Sequence, residues 1–496
     1  MFAISFQSLL FAASIPTSFA LLYVVLLIHY ELLLSPISSY PGPLMARISP
    51  LHNLYHAFKK DIHLDIWKQH EYYGDVIRYG RKRLCFRSKE AYRGGSYLYP
   101  WKSWSDQGAI YMNQSAQKSG AYDQHHPFQS EDRITFTTTD PKDAFRLRRL
   151  LAPALSRNTL TALDERLAAV TDVFCQTLLG NKGSNQLADS WSDPIDVGQF
   201  NMVMTTIYSK NLDLMRRSKY RWMAEESRRF ETLAAELIQG LETDLPENEF
   251  HTALLSARDP ISKQGYSKSD IRKELKSLTR SGGDTMSVTV SSTLHRLSIN
   301  RQWQDSVAQE VRDNFSAYAD IVPGEKLDNC TRLFQVINES LRLDSPILGC
   351  PWRLLTEDVI IDGHLVPRGY EVGVCHYAMH RSAKHFDQPS RFDPRRFPDT
   401  PGLQPPQGPG GFYPFSLGRR ACPAKELVER ALTVCLARIM WLAKIRLALV
   451  NEPSPLASNG EEHDGTSYDL RDCFTAEKFG PVLEFQQRES TRLLWE

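Results

Sequence analysis

The stretch that decides the fold lies near the C-terminus, where residues 415–424 read FSLGRRACPA and lead directly into a helical pattern. A cysteine at the start of a helix meets backbone amide donors and the positive end of the helix dipole, and both favour a metal-binding thiolate. Gly418 permits a tight turn, Arg420 offers a fork for a carboxylate, and Phe415 can shield the sulfur of Cys422. A lone cysteine before a helix is more often a buried structural residue, so this interpretation depends on other segments.

A charged motif lies upstream of the cysteine. Glu339-Ser-Leu-Arg342 places a carboxylate and a guanidinium three residues apart, and therefore on one face of a helix. Residues 392–397, FDPRRF, supply Arg396 as the third member of a charged triad. An exposed pair of this kind contributes under about 1 kcal/mol, so the triad matters only if it is buried.

A second motif lies inside a long helical pattern, where residues 281–286 read SGGDTM. Two adjacent glycines in a helix each cost roughly 1 kcal/mol relative to alanine, and they indicate a kink or a groove. Asp284 could relay protons there, and Thr285 could donate a hydrogen bond to a bound molecule. A helix break with a capping aspartate is the alternative.

Together these segments resemble the cytochrome P450 family, whose motifs F-x-x-G-x-R-x-C, E-x-x-R, F-x-P-x-R-F and G-x-D-T occur here in family order. The resemblance covers roughly residues 41–490. The chain departs from the family pattern at Ala424, Ser281, Met286 and Ala144. None of these departures removes the cysteine, so the resemblance implies the family's fold, which is mainly α with minor β structure.

The resemblance also implies a site built around haem b, whose iron Cys422 would hold as the axial ligand. The expected cofactor-binding residues are Cys422, Arg420, Phe415, Gly418, Arg353 and Arg148, with Arg149 as a fallback for Arg148. The triad would support the cysteine loop, and Asp284 and Thr285 would be catalytic. The expected substrate pocket comprises Arg280, Ser281, Ile347, Leu348 and parts of the irregular stretch 99–136. For Arg280, an orientation towards solvent or an internal carboxylate is an equal alternative.

The family's activity implies a monooxygenase that oxidises a small organic molecule with O₂, by hydroxylation or epoxidation, which insert one oxygen atom, or by desaturation, which removes two hydrogens. Electrons would come from NADPH through a membrane-bound reductase, with cytochrome b5 as a further partner, and a basic face could dock the reductase. Its members are Lys142, Arg146, Arg149, Arg419 and Lys425. The hinge at residues 41–43 and the sequence of residues 73–78, YGDVIR, resemble those of microsomal fungal family members that act in secondary metabolism.

Three other classes of protein remain as alternatives. A haem-thiolate isomerase, dehydratase or peroxide-driven enzyme needs no reductase, and the intact Asp284–Thr285 pair argues against it. A non-catalytic haem sensor needs no proton relay. A structural membrane protein without a cofactor leaves the ordered motifs unexplained.

The N-terminal segment predicts a membrane anchor. Residues 9–28 carry no charge, which matches the roughly 20 residues that a helix needs to cross a bilayer. A cleaved signal peptide is the alternative, but the apolar stretch continues to Leu34 and lacks a clear cleavage site. We therefore expect an anchor over residues 1–35 and one catalytic domain over residues 36–496, on the cytosolic side of the endoplasmic reticulum membrane.

Composition excludes several other classes of protein. The chain has 496 residues and 42% hydrophobic content, so it can bury a large core. Its net charge of +1 provides no global field for nucleic acid. The 8 cysteines show neither paired nor regular spacing, so they indicate neither a zinc site nor a disulfide framework. The Asn-x-Ser/Thr sequons, among them the one at Asn338, are interpreted as chance.

Overall fold

The computed structural model describes residues 6–93, 109–113, 115–120, 134–179, 195–196, 249–406, 408–448, 468–478, 482–489 and 491. The chain divides into two compact units. The first comprises Met1–Ser119 and Gly349–Ala378, and the second comprises Gly120–Leu348 and Met379–Glu496. The predicted boundary between an anchor and a catalytic domain at residue 35 stays a prediction.

Helices dominate the described chain. They are α1 Phe6–His29, α2 Leu44–Ile48, α3 Leu51–Lys59, α4 Ile62–Tyr73, α5 Lys89–Arg93, α6 Pro141–Leu151, α7 Arg157–Ala162, α8 Asp164–Leu179, α9 Glu249–Ser256, α10 Lys268–Ile299, α11 Arg301–Asn314, α12 Glu325–Asp328, α13 Thr331–Leu343, α14 His376–His380 and α15 Lys425–Leu442. A π-helical turn, Tyr30–Leu34, follows α1, and short 3₁₀ turns occur at Tyr318–Asp320, Pro394–Arg396 and Gly418–Arg420.

The strands form small sheets. They are β1 Val76–Gly80, β2 Arg83–Phe86, β3 Ala116–Lys118, β4 Ile195–Asp196, β5 Arg353–Leu355, β6 Val359–Ile361, β7 His364–Val366, β8 Glu371–Val374, β9 Ala443–Leu447, β10 Leu470–Cys473, β11 Thr475–Lys478 and β12 Val482–Gln487. The first unit holds a five-stranded sheet in the order β1-β2-β8-β5-β3 and the β6-β7 hairpin, and the second holds β4-β12-β9 and β10-β11. The predicted mainly helical class with minor β structure is therefore confirmed.

Local chemistry explains the predicted elements that the structure contains. The β6-β7 hairpin turns at Asp362 and Gly363, whose φ angles of 49° and 80° suit the tight two-residue turn that matches strand twist. Helix α10 begins with a capping box, in which Ser267 and Asp270 satisfy each other's backbone N–H groups. It continues unbroken through Gly282 and Gly283, so the alternative of a helix break at these glycines is wrong.

The core of the second unit surrounds α15. Most of its side chains are buried, and it packs against α8, α10, α11 and α13. Every residue from Ala431 to Met440 is buried, so neighbouring elements cover this part of the helix on all sides. The segment that follows the cysteine is therefore a central element of this unit.

The N-terminal segment is helical in α1, and its side chains are described from Ser18 onwards. Within the described part of the chain, no helix has both the length and the apolar character needed to cross a membrane. The transmembrane span predicted at residues 9–28 is thus not confirmed.

Candidate active site

Cys422 lies at the end of a tightly turned loop that precedes α15. Its backbone N–H donates to the carbonyl of Phe415 at 2.8 Å, which closes the loop on itself. Ser416 and Gly418 adopt positive φ angles of 59° and 71°, so the chain reverses within these residues. The turn predicted at Gly418 is present, and the left-handed Ser416 was not foreseen.

Opposing effects act on the Cys422 thiol. Burial among protein atoms raises its pKa, while the N–H of Ala424 and the charges of Arg148 and Lys425 act to lower it. The side chain is nevertheless open to solvent. An accessible sulfur with an amide donor and two nearby cations suits a metal ligand. Coordination of a metal would favour the thiolate further, so that the thiol loses its proton on binding. The donor chemistry therefore fits the axial ligand of a haem iron.

The arginines expected to bind propionates have different surroundings. Arg148 lies close enough to Cys422 for the two charges to interact. Arg420 donates instead to the backbone carbonyls of Thr138 at 2.8 Å and Thr139 at 3.2 Å, so its fork joins the cysteine loop to the segment before α6.

The fallback residue Arg149 and the predicted contact Arg353 are also engaged. Arg149 binds Asp259 with an Nε–Oδ1 distance of 2.6 Å. Arg353 belongs to the first unit, where it donates to the carbonyls of Pro351 and Trp352 and lies over the ring of Tyr111. Its role as a propionate partner stays a prediction.

The structure brings the charged triad together, and it is buried. Arg342 binds Glu339 through two parallel hydrogen bonds of 2.7 and 2.8 Å, and neither side chain is exposed. Arg396 reaches the same carboxylate at 3.4 Å, and the N–H of Asp393 donates to it at 2.8 Å. Arg342 also donates to the carbonyl of His380 at 2.7 Å. A buried pair with this many hydrogen bonds holds separate segments in place.

Three residues that sequence reasoning missed connect the triad to the cysteine loop. Asn338, beside Glu339 on α13, accepts the N–H of Gln404 at 2.9 Å. The side chain of Gln404 in turn accepts the N–H of Phe415 at 2.9 Å. His380 accepts the N–H of Tyr413 at 3.4 Å. Nothing local distinguishes these residues, because each partner lies far away in the sequence.

Helix α10 carries the predicted Asp284 and Thr285, both partly accessible. The Thr285 hydroxyl donates to the carbonyl of Ser281, one turn earlier, at 2.8 Å. In this geometry the hydroxyl hydrogen is engaged in the bond to the Ser281 carbonyl. Thr285 therefore offers lone pairs as an acceptor, whereas the sequence led us to expect a donor. The side chain of Arg280 lies outside the described residues, as does most of the stretch 99–136.

An ion pair not foreseen from the sequence fixes α10 to the residue that follows α13. Arg296 binds Asp344 through two hydrogen bonds of 2.9 Å, and Ser292 donates to the same carboxylate at 2.6 Å. Two of the expected pocket residues follow Asp344 in the chain: Ile347 is half-buried and Leu348 is buried.

Comparisons with known proteins agree with this geometry. A family model described as Cytochrome P450 matches residues 218–455. The cytochrome P450 monooxygenase poxM of Penicillium oxalicum is 31% identical over 97% of this chain and 96% of that protein. The cytochrome P450 monooxygenase AKT7 of Alternaria alternata is 27% identical over 98% of this chain and 99% of that protein. The predicted family is therefore confirmed: this chain belongs to the cytochrome P450 family and is a monooxygenase.

Proposed function

We propose that this monooxygenase uses O₂ and two electrons to oxidise a small organic substrate. It either inserts one oxygen atom, by hydroxylation or epoxidation, or removes two hydrogens by desaturation, in which case both oxygen atoms leave as water. The observation that carries the proposal is the orientation of Thr285 on α10, a helix that packs against the α15 that follows Cys422. Its hydroxyl donates to the carbonyl of Ser281, so its lone pairs can accept a hydrogen bond from a bound molecule. A non-catalytic haem protein has no need for a proton relay, which the adjacent Asp284 and Thr285 would provide.

The family binds haem, and the residues of the second unit suit this group. Cys422 would hold the iron, and Arg148 would supply a cation beside the thiolate or a propionate. The haem, when bound, supplies the binding and activation of O₂. The Ala424 N–H stabilises negative charge on the Cys422 sulfur, and Asp284 beside Thr285 is placed to exchange protons with water.

We also propose that NADPH supplies electrons through a flavoprotein reductase, with cytochrome b5 as a further partner. Support comes from the surface at Phe145, a half-exposed ring with the guanidinium groups of Arg149 at 4.5 Å and Arg419 at 5.8 Å. Lys142 is exposed on the same helix. A basic patch with an aromatic centre suits an acidic partner surface, although the Arg149 charge is partly neutralised by Asp259.

Attachment of the chain to the endoplasmic reticulum membrane, with the body on the cytosolic side, is a further part of the proposal. Beyond the uncharged residues 9–28, support comes from α3, whose Leu51, Leu54, Tyr55 and Phe58 recur at helical spacing and are all exposed. Replacing Leu54 and Phe58 with Asp should reduce flotation with phosphatidylcholine vesicles. The control is Tyr72→Asp, at an equally exposed aromatic residue on α4. Equal flotation of both variants would contradict a role for α3.

The experiment that tests the proposed reaction is a reduced, carbon monoxide-bound difference spectrum of the expressed chain, followed by turnover assays. A long-wavelength Soret band with product formation that requires NADPH, reductase and O₂ would support the monooxygenase reaction. Product formed from peroxide alone, or an isomerised product that forms without reductase, would identify one of the alternative haem-thiolate activities. The fungal sources of the relatives support a tailoring step in secondary metabolism, which product analysis in the producing strain would test.

A further inference from the structure

The first unit contains a cluster of two histidines and an aspartate on neighbouring helices. His52 and His56 lie one turn apart on α3, and their ring centroids are 4.8 Å apart. Asp65, on α4, places Oδ2 at 2.9 Å from Nε2 of His52 and Oδ1 at 3.6 Å from Nε2 of His56. The three potential ligand atoms all lie within 4.8 Å of one another.

The hydrogen bonds around His56 determine which of its nitrogens could bind a cation. Nδ1 of His56 lies 2.7 Å from the carboxylate of Asp61, whose other oxygen is 2.9 Å from Nζ of Lys59. A carboxylate paired with a lysine is an acceptor, so this contact is made by an Nδ1–H donor, and Nε2 is the atom of His56 that could bind a cation. The 3.6 Å between Nε2 and Asp65 Oδ1 exceeds a hydrogen bond. Nε2 of His56 and Oδ1 of Asp65 thus lie near each other without a hydrogen bond between them, and a cation placed there could bind both atoms.

Further contacts fix the carboxylate of Asp65. The Tyr79 hydroxyl donates to Oδ2 at 2.6 Å, and Nε2 of Gln69 donates to Oδ1 at 3.0 Å. A carboxylate has about four lone-pair sites, so these bonds leave room for a metal. The side chains of His52 and Asp65 remain 15% and 11% exposed, so an ion could reach them from solvent.

We propose that His52, His56 and Asp65 form a binding site for a divalent transition-metal ion, with Zn²⁺ as the preferred occupant. Imidazole nitrogen with a carboxylate is a zinc donor set, and bond lengths of about 2.0–2.1 Å place tetrahedral ligand atoms about 3.3 Å apart. The observed separations of 2.9 and 3.6 Å bracket that value. Asp61 on Nδ1 of His56 is the carboxylate–histidine contact that orients metal-binding imidazoles. The metal would link α3 to α4.

Zinc retention by the untagged, haem-loaded full chain tests the site. The protein is treated with a chelator, incubated with zinc sulfate, passed through gel filtration and analysed for metal, and zinc affinity is measured by calorimetry. The wild type should retain about one zinc per chain, and its thermal unfolding temperature should rise with zinc. The double variant His52→Gln/His56→Gln should bind zinc more than about 100-fold more weakly.

The matched control is His364→Gln, which removes a half-buried histidine of the same unit outside the cluster. It should retain zinc as the wild type does. Equal zinc retention by the wild type and the double variant, or none by the wild type, would overturn the proposal. Where the double variant does not fold, His52→Gln alone gives the same comparison, because its amide can still donate to Asp65.

Discussion

The cysteine loop and helix α10 belong to the same unit, but different kinds of contact fix them. Hydrogen bonds between side chains and backbone tie the loop to other segments: the N–H of Phe415 donates to Gln404, and Arg420 donates to the carbonyl of Thr138, 282 residues away. On α10, the hydroxyl of Thr285 donates to the carbonyl one turn earlier on the same helix. The loop thus depends on the whole unit, whereas the orientation of Thr285 depends on its own helix.

Because of this difference, we expect variants of the loop contacts to affect stability and variants of Thr285 to affect the reaction. Changes among the residues that support the loop should loosen the ligand and the fold together, because they leave buried groups without partners. Removal of the Thr285 hydroxyl should leave the fold intact and alter only proton handling. Variants in the two regions can test this division.

The largest effect is expected for Cys422→Ala, which removes the proposed axial ligand. The long-wavelength Soret band of the reduced, carbon monoxide-bound protein should disappear, and turnover should be lost completely. The control Cys473→Ala, at an exposed cysteine, should keep both. A retained band in the Cys422 variant would show that another residue binds the iron.

A loss of stability is expected for Arg342→Ala. Removing one partner of a fully buried pair leaves Glu339 uncompensated, which should lower the free energy of unfolding by about 3–5 kcal/mol and reduce haem retention. Urea titration followed by haem absorbance measures both. Arg395→Ala, at the exposed pair with Asp393, should leave both unchanged. Equal behaviour of the two variants would show that the triad does not support the loop.

A pH-dependent effect is expected for Asp344→Asn. Burial acts to raise the pKa of Asp344, but the charges of Arg296 and Arg381 and the Ser292 hydroxyl together hold this pKa below its usual range. Its contribution to stability is therefore present above the unfolded pKa of about 3.9 and lost as pH falls through the folded value. At neutral pH the variant should lose about 3 kcal/mol, and the difference from the wild type should shrink below about pH 4. A difference that is constant with pH would contradict this assignment.

The sequence could predict the triad and the position of Cys422 before a helix because these features lie in short motifs. Glu339 and Arg342 are one turn apart, and Cys422 directly precedes its helix, so local spacing is sufficient. The role of Arg420 as a carboxylate partner stays a prediction, whereas its bonds to two carbonyls of a segment that only the fold brings near were not foreseen. Tertiary contacts of this kind leave no local pattern.

The histidine cluster shows an intermediate case. His52 and His56 have the four-residue spacing of a metal-binding helix, and this signal was available in the sequence. The third residue, Asp65, lies on the next helix, and only the packing of α3 against α4 identifies it. Spacing alone could suggest the pair but not the site.

The smallest effect on the fold is expected for Thr285→Ala, and it tests the comparison most sharply. The variant should keep haem and stability, because only a hydrogen bond within α10 is lost. Product formation should fall by on the order of 10²-fold while NADPH consumption continues and peroxide accumulates, since the hydroxyl proposed to accept a hydrogen bond during proton delivery is gone. Thr289→Ala removes the equivalent hydroxyl one turn later, which donates to the carbonyl of Thr285 at 3.0 Å, and it should keep product formation coupled to NADPH use. Equal uncoupling in both variants would mean that helix α10 as a whole, and not the Thr285 hydroxyl, controls proton delivery.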